Sequence, residues 1–270
     1  MSKVSLFGGG GYIGRELQRS LTSSGHTVNV ISRDALIDSA THFGHVIYCS
    51  GITQGDFKSK LPEIVEAHVS RLSKLVQLIK CDSFLYLSSA RIYENQIFGA
   101  EDAKISCDPL NLSDCYNLSK LLGESIVMNS SLARPSVARI SYVVDGLNDH
   151  FFAPIHQARR FQEVILNSHP DTEKDFILLA DAVSCLERIS LFGKSEIYNV
   201  ATGVSISFMQ LRSLIEETLD CKVEFTVGAK KQIAPKIDIT KLLTEFEFRP
   251  RDVLEEVKVV LRAKEGRESG

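Results

Sequence analysis

The chain has no apolar stretch that approaches the roughly 20 residues needed to cross a bilayer. Its 270 residues also lack an excess of positive charge, because 31 Lys and Arg stand against 34 Asp and Glu and the formal net charge is −3. Such a chain is not attracted nonspecifically to nucleic acid. Residues 1–11 pass from a short apolar segment directly into glycines, which predicts no signal peptide. We therefore expect a cytoplasmic protein with neither a membrane nor a nucleic-acid partner.

Cysteine and histidine are present, but not in arrangements that hold metal. None of the six cysteines belongs to a C-x-x-C pair, and the histidines are not at metal-ligand spacings. In a cytosolic chain of this size, widely spread cysteines are typical of reduced thiols, several of them in the core. The sequence therefore predicts no metal site. The cysteines are Cys49, Cys81, Cys107, Cys115, Cys185 and Cys221.

Short apolar segments and helical patterns alternate through the first half of the chain. The predicted strands are Lys3–Phe7, Thr27–Ile31, His45–Cys49, Ser83–Leu87 and Ser136–Ile140, and the predicted helices are Tyr12–Ser24, Leu61–Ile79 and Leu112–Asn129. Mostly apolar strands that alternate with helices are typical of an α/β fold. We expect a doubly wound parallel sheet of the Rossmann type, covered by helices on both faces.

The pattern loosens after about residue 145. We predict helices at Phe151–Leu166, Asp181–Leu191, Met209–Leu219 and Val253–Lys264, and strands at Phe176–Ala180, Glu196–Val200 and Lys222–Val227. This suggests a dinucleotide-binding core over residues 1–145, to which residues 175–200 return. Residues 146–174 and 201–264 would form a smaller substrate-binding lobe, and residues 265–270 a disordered tail.

A glycine loop follows the first predicted strand and leads into a helix. Gly8, Gly11 and Gly14 form the pattern G-x-x-G-x-x-G, with Tyr12 and Ile13 inside it. Glycines at such a turn let the backbone approach a pyrophosphate, whose charge the helix N-terminus stabilises. The loop predicts a bound dinucleotide; the alternative is a tight turn with close helix–strand packing.

The residues after the second predicted strand bear on which dinucleotide is bound. An acidic residue at this position would bind the ribose hydroxyls of NAD, but the sequence has Ser32 followed by Arg33. A guanidinium suits the additional phosphate of NADP. We therefore favour NADP, while NAD stays possible with Asp34 as the acidic residue.

The segment DCYNLSKLLGE places Tyr116 four residues before Lys120, a spacing that puts both side chains on one face of a helix. A phenol has an ordinary pKa near 10, too high for efficient proton exchange at neutral pH, and a nearby ammonium favours the phenolate. The pair indicates a catalytic acid tuned by a cation. The alternative is a half-exposed tyrosine beside a solvated lysine, because one such spacing arises easily by chance.

Several further motifs occur in one order along the chain. They are the serine-terminated strand in LYLSSARIY (Leu85–Tyr93), the segment Lys174–Asp181, the turn Tyr198–Gly203 and the late segment Asp238–Lys241. With the glycine loop and the Tyr–Lys pair, they resemble the extended short-chain dehydrogenase/reductase family of sugar-nucleotide epimerases, dehydratases and reductases. The resemblance spans residues 3 to about 250.

This resemblance implies roles for particular residues. Tyr116 would be the acid/base, Lys120 its partner and a ligand of the nicotinamide ribose, and Ser89 the hydrogen-bond partner of the reacting oxygen. Substrate contacts would come from Ser89, Arg91, Tyr142 and Lys174. The family also implies a homodimer built on the helices Leu61–Ile79 and Leu112–Asn129.

Departures from the family pattern narrow the expected reaction. Dehydratases carry an acidic pair directly after the catalytic Ser or Thr, whereas this chain has Ala90 and Arg91. His68 stands at the usual asparagine, and Lys174 replaces an arginine that clamps the diphosphate. We therefore expect an NADPH-dependent reductase of a keto-sugar nucleotide, with a 4-keto-6-deoxy sugar as one candidate. The alternatives are an NAD-dependent sugar-nucleotide epimerase and a non-catalytic nucleotide-binding protein.

Overall fold

A computed structural model describes residues 1–52, 57–94, 96–232 and 234–268. The first half of the chain supplies most of the central sheet and the helices that cover it. In chain order its elements are β1 (Lys3–Phe7), α1 (Tyr12–Ser23), β2 (Thr27–Ile31), β3 (His45–Tyr48), α2 (Phe57–Val65), α3 (Arg71–Leu78), β4 (Ser83–Ser89), β5 (Phe98–Gly99), α4 (Leu112–Met128) and β6 (Pro135–Ile140).

The second half is built from shorter elements. In chain order they are β7 (Tyr142–Val144), α5 (Phe152–Arg159), β8 (Glu163–Leu166), β9 (Glu173–Leu178), α6 (Leu179–Phe192), β10 (Ile197–Val200), β11 (Ser205–Ser207), α7 (Phe208–Leu219), β12 (Lys222–Phe225), β13 (Lys236–Ile237), α8 (Thr240–Phe246) and α9 (Val253–Glu268). Within the described ranges, no helix combines the length and the hydropathy needed to span a membrane.

Six parallel strands form the central sheet, in the order β10–β6–β4–β3–β1–β2. Helices cover both faces, which explains why the central strands are mostly apolar. On one face, Leu6 packs with Leu17 of α1 and Leu186 of α6. On the other, Phe84 packs with Leu72 of α3. The predicted doubly wound sheet of the Rossmann type is confirmed.

The strand order reverses beside β1, which pairs with β2 on one side and β3 on the other. Chain connections leave such a point in opposite directions, so a crevice opens at the carboxyl ends of the strands, where ligands of α/β proteins bind. The glycine loop follows β1 at this place. The fold therefore puts the predicted dinucleotide loop at the crevice.

A separate hydrophobic cluster lies beyond the sheet, and we call it the C-terminal cluster. Its buried members include Phe152, Phe176, Ile215, Val223 and Leu261. A three-stranded sheet in the order β11–β9–β7 and the parallel pair β12–β8 contribute to it, together with α5, α7 and α9. The domain boundaries expected from the sequence stay a prediction.

Some element boundaries were predicted wrongly. The helix expected over Phe151–Leu166 ends at Arg159, and Glu163–Leu166 is a strand instead. The residues of this strand alternate between exposed and buried, and the strand pairs in parallel with β12. A contact that is distant in sequence therefore decides its conformation. The last helix continues to Glu268, into the expected disordered tail.

The helix expected over Leu61–Ile79 is three segments. It begins earlier, at Phe57, and a π-helical turn at Glu66–Ser70 separates α2 from α3. Such turns insert one residue into the helical ladder and are frequent at functional sites. This one presents His68 to the interior, where it is fully buried.

Candidate active site

The glycine loop between β1 and α1 is shaped by close backbone contacts. Gly8 has a left-handed backbone with φ of +88°, and a Cβ there would lie 2.6 Å from the Ser50 nitrogen. A Cβ on Gly14 would lie 2.3 Å from the Gly8 oxygen. The loop folds back with a 3.0 Å hydrogen bond from the Gly11 N–H to the Gly8 oxygen. Any side chain at Gly8 or Gly14 would therefore displace the loop.

The helix after the loop offers N–H groups to an anion. α1 begins at Tyr12, and Gly11 at its N-cap has no side chain with which to cap the first turn. A Cβ on Gly10 would meet no described atom within 4 Å, so there is open space before the helix. Tyr12 and Ile13 line the same space. A pyrophosphate fits here because the uncapped N–H groups and the helix dipole both favour negative charge.

Polar groups meet at the carboxyl end of β2. Ser32 and Arg33 are exposed there. Nη2 of Arg71, from α3, donates a 3.1 Å hydrogen bond to the Ser32 carbonyl oxygen. The sequence did not reveal Arg71, because only the tertiary fold brings α3 to β2. Two arginines therefore flank Ser32, where an acidic residue would bind NAD.

The carboxyl end of β4 brings Ser89 to Tyr116 of α4. Ser89 ends the strand, and its Oγ accepts a 3.2 Å hydrogen bond from the Arg91 N–H at the start of the 3-10 turn Ala90–Tyr93. Tyr116 is only 5% exposed, and its side chain is hydrogen-bonded to Ser89. The Ser89 hydroxyl and the Tyr116 phenol, which the sequence predicts to contact the same reacting oxygen, therefore lie together.

Burial dominates the proton affinity of Tyr116. Desolvation raises the pKa of the phenol above its ordinary value, although the Ser89 hydrogen bond and the charge of Arg91 lower it. The guanidinium carbon of Arg91 lies 5.6 Å from the centre of the Tyr116 ring. The sequence predicts that Lys120 lowers this pKa, and this role stays a prediction; Arg91 is a nearby cation that the sequence did not single out for it.

Lys120 shares the buried face of α4 with Tyr116, but its ammonium bonds to the backbone. Nζ donates a 2.9 Å hydrogen bond to the Leu87 carbonyl oxygen and lies 5.9 Å from the Tyr116 ring centre. Burial lowers the pKa of Lys120 to about 7, and the negative charge of Glu124 opposes this change. A lysine with this pKa is about half protonated at neutral pH.

A buried ion pair fixes α4 to the sheet. Arg139 of β6 donates to both carboxylate oxygens of Glu124, through three contacts of 2.7–3.2 Å. The Ser88 hydroxyl donates to the same carboxylate, and Nη1 of Arg139 donates to the Tyr93 phenol oxygen at 2.7 Å. Each charge therefore has several partners, as a buried ion pair requires. This network holds the helix that carries Lys120.

A cleft of about 630 Å³ runs from the glycine loop to Ser89, Tyr116 and Lys120. The four residues predicted to contact substrate all line it: Ser89, Arg91, Tyr142 and Lys174. Nζ of Lys174 lies 5.3 Å from the Tyr142 ring centre, and burial lowers the pKa of this lysine. The cleft thus offers cationic and aromatic groups near Tyr116. Which substrate they contact stays a prediction.

Comparison with known families decides the class of protein. Residues 4–201 match the sequence model of the NAD dependent epimerase/dehydratase family. The chain belongs to this family. It is therefore an oxidoreductase-type enzyme of the extended short-chain dehydrogenase/reductase group, whose members use a nicotinamide dinucleotide and act on sugar nucleotides. No curated protein matches the chain.

Solved structures share the fold over nearly the whole chain. MoeE5 in complex with UDP-glucose and NAD superposes with a TM-score of 0.81 at 17% identity, covering 99% of this chain and 100% of that one. RMD from Pseudomonas aeruginosa with NADPH gives 0.76 at 17%, covering 97% and 98%. A UDP-galactose 4-epimerase gives 0.76 at 19%, covering 97% and 99%.

His68, which the sequence predicts to stand at the family's asparagine, links Ile52 to α4. Its Nε2 accepts a 3.3 Å hydrogen bond from the Ile52 N–H, so Nδ1 carries the proton and donates to the Ser119 hydroxyl at 2.9 Å. Ser119 in turn donates to the Tyr116 carbonyl oxygen. Burial lowers the pKa of His68 to about 2, which keeps the ring neutral. Through these two hydrogen bonds His68 holds the Ile52 backbone beside Ser119 on α4.

Sequence reasoning missed some members of this site. Glu94, three residues after Arg91, accepts a 3.2 Å hydrogen bond from its Nε. That spacing is a usable signal, because residues three apart on a helical turn are neighbours. No local pattern in the sequence indicated the hydrogen bonds of His68 or the contact between Arg71 and the Ser32 carbonyl.

Proposed function

We propose that the enzyme is an NADPH-dependent reductase of a keto-sugar nucleotide, with a 4-keto-6-deoxy sugar as the first candidate. The observation that carries this proposal is the pair of arginines, Arg33 and Arg71, beside Ser32 at the end of β2. Guanidinium groups suit the phosphate that distinguishes NADPH from NADH. NADPH is the form consumed by a reductase as an exchangeable co-substrate.

The residues after Ser89 support reduction rather than dehydration. A dehydratase needs carboxyl groups there to remove and return protons, but Ala90 is buried and apolar and Arg91 is a permanent cation. Ser89 and Tyr116 keep the hydroxyl and phenol that a carbonyl reduction uses. The site therefore has a hydroxyl and a phenol that can protonate a carbonyl oxygen, but positions 90 and 91 lack the carboxyl groups that elimination requires.

The proposed reaction converts a carbonyl into a secondary alcohol. When bound, the cofactor supplies a hydride to the carbonyl carbon. Ser89 donates a hydrogen bond to the carbonyl oxygen and polarises the bond. Tyr116 gives its proton to that oxygen, and the resulting phenolate is reprotonated from solvent. Lys120, whose pKa is about 7, is the residue of this chain expected to hold the nicotinamide ribose.

An NADPH-oxidation assay against a panel of keto-sugar nucleotides tests the proposal. We expect turnover with at least one member, and Tyr116→Phe should lower kcat by about a hundredfold or more while cofactor still binds. No turnover with any member would contradict the reductase. Tightly bound NAD in the purified enzyme, together with interconversion of sugar nucleotides and no net cofactor consumption, would identify an epimerase instead.

The cofactor preference has its own test. Arg33→Ala and Arg71→Ala should each weaken NADPH binding about 10- to 100-fold and leave NADH binding nearly unchanged, because charge-assisted hydrogen bonds contribute about 1.5–3 kcal/mol. Fluorescence titration with both nucleotides measures the two affinities. Equal losses for NADH and NADPH would show that the arginines do not contact the phosphate that distinguishes them.

We propose that the enzyme is a cytoplasmic homodimer. Exposed leucines on two helices support the dimer: Leu118 and Leu122 on α4, and Leu78 on α3. Large apolar side chains that face outward on neighbouring helices suit a partner surface. Sedimentation analysis tests this assembly, and Leu122→Glu should yield monomers. A monomer in the unmodified protein would contradict it.

A further inference from the structure

We propose that Arg15, the fourth residue of α1, binds the pyrophosphate of the dinucleotide cofactor. Its guanidinium would add a positive charge and hydrogen-bond donors to the uncapped N-terminus of that helix. NADH and NADPH share the pyrophosphate, so the inference holds for either cofactor. It therefore does not depend on the proposed reductase activity.

The side chain of Arg15 folds back over the glycine loop. Its Nη1 donates a 3.2 Å hydrogen bond to the Gly10 carbonyl oxygen, while its backbone N–H donates to the Gly11 oxygen at 3.0 Å. Gly10 stands directly before the N-cap Gly11, and a Cβ on Gly10 would meet no described atom within 4 Å. Arg15 lines the cleft together with these two glycines. The guanidinium is therefore held beside the space in which the helix N-terminus favours an anion.

The charge of Arg15 is not neutralised by a neighbouring carboxylate. Within the part of the chain that the structure describes, its side chain has the Gly10 hydrogen bond and no ion pair. The first turn of α1 contains no acidic residue, and Glu16, the next residue, pairs with Arg19 at 2.8 Å. A guanidinium carries several N–H donors, and the bond to Gly10 uses one of them. The others are available to phosphate oxygens.

A cation near the start of a helix is unfavourable in the free protein. The N-terminal end of the helix dipole is positive, so Arg15 does not stabilise α1 through its charge. A bound pyrophosphate reverses this relation, because its negative charge attracts both the guanidinium and the helix N-terminus. Arg15 is thus placed where its charge becomes favourable only with an anion present. This property distinguishes a cation that binds a ligand from one that stabilises the fold.

The cleft separates Arg15 from the arginines proposed to recognise NADPH. Arg15 lines the cleft with the glycine loop, whereas Ser32, Arg33 and Arg71, all of them described, are not among its lining residues. Those three lie together at the carboxyl end of β2. Arg15 therefore suits the phosphates that every dinucleotide carries, and the β2 group suits the phosphate that distinguishes NADPH.

Competitive titration of the full chain tests the assignment. ADP-ribose carries the pyrophosphate, whereas adenosine 2′-monophosphate carries a phosphate on the ribose and no pyrophosphate. Each displaces bound NADPH or NADH, whose fluorescence reports the displacement. Arg15→Ala should weaken ADP-ribose binding about tenfold and leave adenosine 2′-monophosphate binding nearly unchanged. Arg15→Lys should retain part of the affinity, because an ammonium keeps the charge but not the planar fork.

Arg19 provides a matched control on the same helix. It lies one turn after Arg15, is 73% exposed and is paired with Glu16. Arg19→Ala removes the same charge from α1 and should leave the ADP-ribose affinity unchanged.

Thermal denaturation separates binding from a structural role. The melting temperature of cofactor-free Arg15→Ala should not fall, because the change removes a cation from the helix N-terminus. A given concentration of cofactor should raise the melting temperature less in Arg15→Ala than in the unmodified protein. A lower melting temperature of the cofactor-free variant with unchanged ADP-ribose affinity would show that Arg15 only supports the loop.

Three further results would overturn the inference. They are an unchanged ADP-ribose affinity in Arg15→Ala, an equal loss in Arg19→Ala, and a loss for adenosine 2′-monophosphate as large as that for ADP-ribose. The last result would assign Arg15 to the phosphate that distinguishes NADPH. None of these measurements uses a keto-sugar nucleotide, so the inference and the proposed reductase activity fail separately. A difference between the two proteins that shrinks at about 1 M salt, where the Debye length is about 3 Å, would support a contact between charges.

Discussion

Replacing the buried Lys120 with methionine should stabilise the protein near neutral pH while abolishing turnover. The pKa of Lys120 falls from 10.5 to about 7 in the folded chain. At about 1.4 kcal/mol per pKa unit, folding with this lysine costs about 5 kcal/mol below neutral pH. Methionine has a similar length and no charge to bury, although it leaves the Leu87 carbonyl unpaired at a cost of about 1–3 kcal/mol.

The sign of the pH dependence follows from the direction of the shift. The folded lysine binds its proton less tightly than the unfolded one, so the cost is fully present below about pH 7. It is lost as the pH rises from about 7 to about 10.5. Lys120→Met should therefore be more stable by about 2 kcal/mol at pH 6, and the difference should change by about 3 kcal/mol by pH 9.5, where the variant becomes about 1 kcal/mol less stable than the unmodified protein.

Urea denaturation of both proteins at several pH values measures the difference. The other titrating groups are the same in both proteins, so their contributions cancel in the difference between the two free energies of unfolding. Lys241 is the matched control: its Nζ also donates to a strand carbonyl, of Ile197, but it reaches Glu196 at 2.8 Å. Lys241→Met removes an ion pair and should bring no gain. A Lys120→Met protein that is less stable at pH 6, or a difference that does not vary with pH, would refute the reasoning.

Other predictions concern the loop and the buried ion pair. Gly14→Ala should weaken cofactor binding at least tenfold and lower the melting temperature, because the new Cβ would lie 2.3 Å from the Gly8 oxygen. In Gly10→Ala the melting temperature should not change, because the new Cβ meets open space. Thermal denaturation and cofactor titration check both. Glu124→Gln should lower the free energy of unfolding by about 3–5 kcal/mol, because it leaves the Arg139 charge unpaired. Removing both charges with a second change, Arg139→Met, should recover part of that loss in urea denaturation, and no recovery would contradict the account.

Local pattern was sufficient for the core of the fold. Strands buried on both faces are mostly apolar, as in Phe84–Leu87 of β4, so the β–α alternation could be read from composition and spacing. The glycine loop could likewise be recognised from its local spacing, although the contact that requires Gly8 is with Ser50, about 40 residues later. The Rossmann-type sheet was therefore predictable.

Short elements and charge placement were not predictable in this way. Glu163–Leu166 is a strand because it pairs with β12, more than 50 residues later in the chain. Its three consecutive apolar residues, Val164–Leu166, fit a helix as well as a strand. The approach of Arg91 to Tyr116 depends on the 3-10 turn after β4, and that of Arg71 to Ser32 on the packing of α3. Sequence gives the residue types for such contacts, but tertiary structure decides which charges meet.

The separation of the C-terminal cluster from the central sheet has a consequence for how this enzyme can change. Ser89, Tyr116 and Lys120 lie on β4 and α4, whereas Phe152, Phe176 and the other members of that cluster belong to later elements. Substitutions in the cluster can therefore shift β7 and β9, which carry the cleft residues Tyr142 and Lys174, while Ser89, Tyr116 and Lys120 keep their positions. Libraries that vary residues 145–175 and 204–240 should yield altered substrate preference at little cost to cofactor binding, which makes these segments the natural starting point for engineering a new specificity.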